Sequence, residues 1–323
     1  MTSIRTQPLV VASMLLALST AAQAGNARTW ISGKGTDQAG CGPISSPCRT
    51  IQYAHDNTNA GGEIDVLDSA GYGAVTITKG ISIVGDGVIA GLLAGAGANA
   101  VTVSAGSSDT VILRGLTIEG AGVGQTGILM TSAGMLDVAN CAVQNFGGQG
   151  GTGIAILNDG TTNASIQIAN TTVSHNVFAG LSYQNFGGSS KVRFVLDHVI
   201  ASGNGTFGIN FTEFPGSGNS VTANISNSLF AFNQWSGLQI GGNVTAIVDL
   251  SRSEHNGQDG FNLGAVGNAV TPAGLLVVGR SVSASNGGAG LNNVGGTIQS
   301  YGSNQIVANS VATKGTIGTI QAQ

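Results

Sequence analysis

The sequence predicts an all-β solenoid, a single chain wound into stacked polygonal coils. Three observations carry this. Glycines at 127, 153, 180, 208, 237, 260 and 290 recur every 23 to 30 residues, with a mean of about 27, and a period in this range marks a stacked array. Within each period lie three short runs with two-residue alternation and no helical 3.6 pattern. At five of these glycines the same phrase returns, an Asn four places before the Gly and an apolar residue after it: NVFAGL at 176–181, NGTFGI at 204–209, NQWSGL at 233–238, NGQDGF at 256–261 and NGGAGL at 286–291.

The elements follow in chain order. Residues 1–24 read as a secretory signal peptide: one Arg, an apolar run too short to span a bilayer, then the small-residue site AQA, with cleavage expected after Ala24. Residues 25–110 are expected to form an N-terminal cap and the first coils. There, Ser46 and Pro47 fit a helix N-cap and first-turn pair, and CRTIQYAHD carries an apolar side able to close the end of a core. Residues 111–311 hold the regular coils, and 312–323 read as a short C-terminal tail. In SIQIANTTVSHNVFAGLSY, residues 165–183, one alternating run ends at Asn170, a second ends at Asn176, and a third starts after Gly180. The first bend carries Asn140, Asn170, His198 and Asn227. The second carries Asn176, Asn204, Asn233, Asn256 and Asn286. Asn accepts the left-handed backbone that sharp bends need, and stacked amides can hydrogen-bond from coil to coil. Both roles are therefore expected of these residues. Gly180 and its equivalents relieve crowding, and the apolar residue after each points inward.

Composition narrows the function. Charged residues are 8% of the chain, and the 11 basic residues are scattered, which argues against nucleic acid as a partner. Beyond the leader no stretch is long and apolar enough for a membrane span. Cys41 and Cys48 flank CGPISSPC, a spacing that suggests a local disulfide in an exported protein. Cys141 reads as a buried thiol. The expected location is secreted or periplasmic. No cofactor or metal is indicated, and the oligomeric state is not fixed.

The repeats from about 111 to 310 resemble the three-strand coil of the right-handed parallel β-helix, the pectate-lyase-like superfamily. The entry region, with YGAVTITKGISIVGDG at 72–87, is similar to that superfamily's start. The resemblance implies a polysaccharide groove along the first strand of each coil, with catalytic acids, calcium ligands and basic residues projecting from those strands. In this sequence the outward row reads Leu129, Ala155, Ser182, Asn210, Gln239, Asn262, Asn292. It holds no charge, whereas a lyase of the superfamily needs acidic calcium ligands and a cationic base, and a glycoside hydrolase needs two carboxyl groups at a set distance. The candidate carboxylates lie on turns instead, Glu213 in NFTEFPGSGN and Asp259 just before Gly260. Phe178 and Trp235 share one turn position and Phe207 sits one residue along. Phe186 and Phe214 occupy equivalent loops, and Tyr183 and Phe211 should be core. Aromatic rings spaced by one coil suit stacking on sugar faces.

The expected function is thus polysaccharide binding through Ser182, Asn210, Gln239, Asn262, Phe178, Phe207, Trp235 and Phe214, leaning away from catalysis. Two rivals stand beside it: a polysaccharide lyase or hydrolase with a displaced Glu213 and Asp259 site, and a structural or adhesive surface protein.

Overall fold

Alternating runs separated by bends become three faces of one coil. In the computed structural model, which describes residues 25–158, 160–185, 187–213, 218–264 and 274–321, every strand pairing is parallel and joins each coil to the next. Sheet 1 follows the phrase glycines; its ten described strands run from Val75–Ile77 to Val311–Lys314. Sheet 2 has twelve described strands, from Asn26–Ile31 to Ile317–Ile320, and sheet 3 has ten, from Ala70–Gly71 to Gln305–Val307. The result is a right-handed parallel β-helix. The stretch from 312, expected as a tail, instead supplies strand residues. Val311–Lys314 pairs with Ala289–Asn293 and Ile317–Ile320 with Gly296–Tyr301, because both short segments still offer extended backbone to an open edge.

The core is a set of columns. Leu181, Ile209, Leu238, Phe261 and Leu291, the residues after the phrase glycines, are in register and buried. Each contributes about 1.5–3 kcal/mol of apolar burial. Tyr183 and Phe211 are core residues, with Phe194 between them at ring-centroid distances of 5.7 and 4.6 Å. Burial pushes the Tyr183 phenol up to about 12.

The two bends work differently, and this corrects the expectation that Asn serves the same role at both. At the first bend, between sheets 2 and 3, the left-handed residues are Asn140, Asn170, His198 and Asn227, continued by Leu250 and Arg280. At the second bend, between sheets 3 and 1, the left-handed residue is the one before the Asn: His175, Gly203, Phe232, His255 and Ser285. The phrase asparagines themselves turn inward. The amide Nδ2 of each donates to Oδ1 of the next, Asn176 to Asn204 at 3.0 Å, Asn204 to Asn233 at 2.9 Å, Asn233 to Asn256 at 3.0 Å and Asn256 to Asn286 at 2.9 Å. The ladder ends at Asn309, 2.8 Å from Asn286. Backbone N–H groups of the same residues donate to the same oxygens, so each Oδ1 is doubly occupied. The phrase Gly is forced by this packing. A Cβ on Gly208 would lie 2.6 Å from the Gly237 carbonyl oxygen and 2.9 Å from Asn233 Nδ2.

A second ladder runs inside the first bend. Val199 N–H donates to Ser228 Oγ, Ser228 N–H to Ser251 Oγ and Ser251 N–H to Ser281 Oγ, at 3.1 to 3.2 Å. These hydroxyls in turn donate to carbonyls of their own coil.

The N-terminal end is closed as the sequence suggested, with a different cap. Helix Ile51–Asn57 buries Ile51, Ala54 and His55 and packs against the first strands of sheets 1 and 2. Its N-cap is Thr50, whose hydroxyl accepts from Tyr53 N–H, and not Ser46. The Cys41–Cys48 disulfide and the Cys48 N–H bond to the Trp30 carbonyl hold residues 46–48 beside Asn26–Ile31, so the chain is free to turn helical only after Arg49. Cys141 is buried and free, its thiol pushed up to about 11 by burial.

Candidate functional cleft on sheet 1

Register decides which side chains share the outer surface of sheet 1. Leu129, Ala155, Ser182, Asn210, Gln239, Asn262 and Asn292 form one continuous column. It extends beyond the residues named from sequence, to Thr76 and Thr102 at one end and to Lys314 at the other.

The column is not one surface. Asn210 and Gln239 are each only 2% exposed and hydrogen-bonded within the protein. Thr212 Oγ1 donates to Asn210 Oδ1 at 2.8 Å, and Gln239 Nε2 donates to the Gly264 carbonyl at 3.2 Å. Asn262 Nδ2 reaches Gln239 Oε1 at 2.6 Å. Here the amides bond largely within the protein, in place of the open row that alternation alone suggests, although Asn262 Oδ1 and Asn292 Oδ1 are buried without a partner among the described residues.

The N-terminal half of the same sheet opens instead into a cleft of about 390 Å³. Its floor is Leu129, Ala155 and Ser182, with Leu157 and Gln184 one step further along neighbouring strands. One wall is the Asn99–Thr126–Thr152 column, and the second-bend residues Gln125, Gln149 and Phe178 form the rim. Every lining residue is uncharged. Ser182 Oγ and Asn99 Oδ1 are buried atoms with no hydrogen-bond partner among the described residues. Sequence reasoning found Ser182 and Phe178 but missed the glutamines. Gln125, Gln149 and Gln184 fall at different places in their coils, so no repeat position announces them.

The aromatic turn residues form an edge-to-face stack. Phe178 and Phe207 lie 6.2 Å apart at 88°, and Phe207 and Trp235 5.3 Å apart at 89°. Phe207, expected as an open ring, is 5% exposed because its two neighbours close over it. Trp235 is 45% exposed and Phe178 half-buried at the cleft rim. Phe186 and Phe214 lie outside the described residues.

The two carboxylates are far apart. Glu213 is two residues beyond Phe211, Asp259 is four before Leu263, and Phe211 and Leu263 share a register column through Ile240. About six residues of extended chain, roughly 20 Å, separate them along the strand direction, against the ~5–9.5 Å of a glycosidase pair. Each is also engaged in turn structure. Glu213 is buried and accepts from Asn243 N–H at 2.8 Å; Asp259 accepts from Ala289 N–H at 2.7 Å and Asn292 Nδ2 at 2.8 Å. In the run KVRFVLDH, Asp197 is held down to about 2 by hydrogen bonds from Asn227, Ser226 and its neighbour His198. The one group of potential metal ligands among the described residues, Asp37 with Cys41 and Cys48, contains the disulfide and so offers no thiolates.

No family model matches the sequence, and no curated protein matches it. Solved structures do. The chain is similar to pectate lyase Pel9A, with a TM-score of 0.60 and 13% identity over 91% of this chain and 80% of that one. It is also similar to the A-module of the mannuronan C-5 epimerase AlgE6 of Azotobacter vinelandii, with a TM-score of 0.44 and 14% identity over 81% of this chain and 91% of that one. At this identity the likeness to the lyase concerns architecture alone: the chain is a right-handed parallel β-helix of the pectate-lyase-like fold.

Proposed function

We propose that this protein is exported and binds a polysaccharide along sheet 1, centred on the cleft between Asn99 and Gln184. The observation that supports this most is the cleft's chemistry. Amides and hydroxyls with spare hydrogen-bonding capacity surround an aliphatic floor, and Phe178 brings an aromatic ring to the rim. Such sites suit sugars, which present apolar C–H faces and hydroxyl edges together. The exposed ring of Trp235 extends the track along the same bend. The reading assigns no reaction, because Glu213 and Asp259 stand at opposite ends of their strands and serve turns.

Export rests on the leader-like residues 1–24, which lie outside the described residues, and on the Cys41–Cys48 disulfide, which suits an oxidising compartment. Sequencing the N-terminus of the mature protein should give Gly25.

Affinity electrophoresis in gels containing plant and microbial polysaccharides tests binding. At least one polysaccharide should retard the wild type, with apparent affinity about tenfold weaker for Phe178→Ala and a few-fold weaker for Trp235→Ala. Unretarded migration in every gel contradicts the proposal.

A further inference from the structure

We infer that the ligand held in the sheet 1 cleft is an uncharged glycan segment, not a polyuronate; this rests on the glycan-binding reading above. A polyuronate brings a carboxylate with every sugar. Holding one out of water is costly unless a cationic group pairs with it, directly or as a metal ion held by carboxylates. No lining residue carries charge, and the outward column from Thr76 to Asn292 contains no Lys, Arg, Asp or Glu. The only cation in the column is Lys314, five coils beyond Ser182 and so roughly 24 Å away at ~4.8 Å per coil, more than two Debye lengths at ordinary salt.

What the cleft does offer matches hydroxyl groups. An amide side chain donates and accepts, as a sugar hydroxyl does. Gln125 and Gln149 are exposed at the rim and Gln184 is half-buried on the floor; no hydrogen bond within the described residues occupies their amides. Ser182 Oγ and Asn99 Oδ1 add two buried polar atoms left without partners. Buried polar atoms are ordinarily satisfied; Ser236 Oγ, Asn262 Oδ1, Asn292 Oδ1 and Asn293 Oδ1 are also unmatched among the described residues, so it is the free glutamine amides around an uncharged hollow that point to a hydroxyl-bearing partner. The columns Asn99–Thr126–Thr152 and Leu129–Ala155–Ser182 together span four coils, roughly 14 Å, the length of a short oligosaccharide.

The test is calorimetric titration of the full mature protein with cellohexaose, mannohexaose and xylohexaose on one side and hexagalacturonate and hexamannuronate on the other. The inference expects binding of at least one neutral hexasaccharide, changing less than twofold in Kd between about 0.05 and 0.5 M salt. Gln125→Ala and Gln149→Ala change exposed residues and should leave folding intact by circular dichroism. Each should weaken the neutral ligand at least fivefold, and Gln149→Lys should create salt-sensitive uronate binding absent from the wild type. Binding confined to the uronates, or a steep salt dependence, overturns the neutral-glycan assignment and leaves polysaccharide binding standing. Absence of binding to all five overturns both.

Discussion

Two halves of sheet 1 use the same outward position for different ends. From Asn210 to Asn292 the amides are mostly paired, with Gln239 bridging Asn262 and Gly264, and Asn292 bonded to Asp259. From Asn99 to Gln184 the equivalent surface mixes Leu129, Ala155 and Ser182 with unpaired amides around a hollow. A row of alike polar residues bonds across the ~4.8 Å between coils through its amide donors and becomes largely structure. A row of unlike residues does so less, and here it leaves the amides of Gln125, Gln149 and Gln184 around the hollow. Repetition therefore marks scaffold in this molecule, and broken repetition marks the place where a ligand fits best.

The largest expected effect lies in the scaffold. Asn233→Ala removes the acceptor of two donors from Asn204 and the donor to Asn256, all buried. At about 1–3 kcal/mol for each unmatched buried group, the loss should be about 3–5 kcal/mol by denaturant unfolding. Gln239→Ala on the outward row should cost about 1–2 kcal/mol, and an equal cost for both would break the contrast between inner ladder and outer row. Gly208→Ala comes next. Its new Cβ meets backbone of the adjacent coil, so a loss of about 2–3 kcal/mol is expected. Gly95→Ala, where the same atom enters open space, should be neutral within about 0.5 kcal/mol. Replacing both Cys41 and Cys48 by Ala opens a short loop near the helical cap and should cost about 2–3 kcal/mol.

The smallest effect is electrostatic. Asp197 has a lowered pKa in the folded state, about 2, so the carboxylate favours folding above the unfolded value of about 4. That contribution is complete above about pH 4 and fades as pH falls toward 2. The group is partly exposed, which keeps its size small. Stability measured from pH 5 to pH 2 should fall less steeply in Asp197→Asn than in the wild type; identical slopes would remove Asp197 from the account.

These contrasts also explain what could be read in advance. The solenoid was legible because every coil repeats the same steric problem, and the stacked Asn176–Asn286 amides followed from their spacing. Their backbone conformation was not legible: the left-handed residue one place earlier is His175, Phe232 or Ser285, side chains with no common preference for that region. The capping helix was foreseen but its start was not, since the disulfide and the Trp30 contacts, which are tertiary, hold Ser46 and Pro47 out of it. The cleft was the least visible feature. Glu213 and Asp259 drew notice as charges in a chain with few, yet both hold turns. Gln125, Gln149 and Gln184 are ordinary polar residues until the coils place them around one hollow.

Side-chain amide resonances give the most direct reading of the central claim, because they report on individual glutamines and asparagines during titration with a bound neutral hexasaccharide. The account predicts shifts for the Nε2 groups of Gln125, Gln149 and Gln184 and unchanged resonances for Asn210 and Gln239. Shifts at Asn210 and Gln239 with silent cleft glutamines would contradict it.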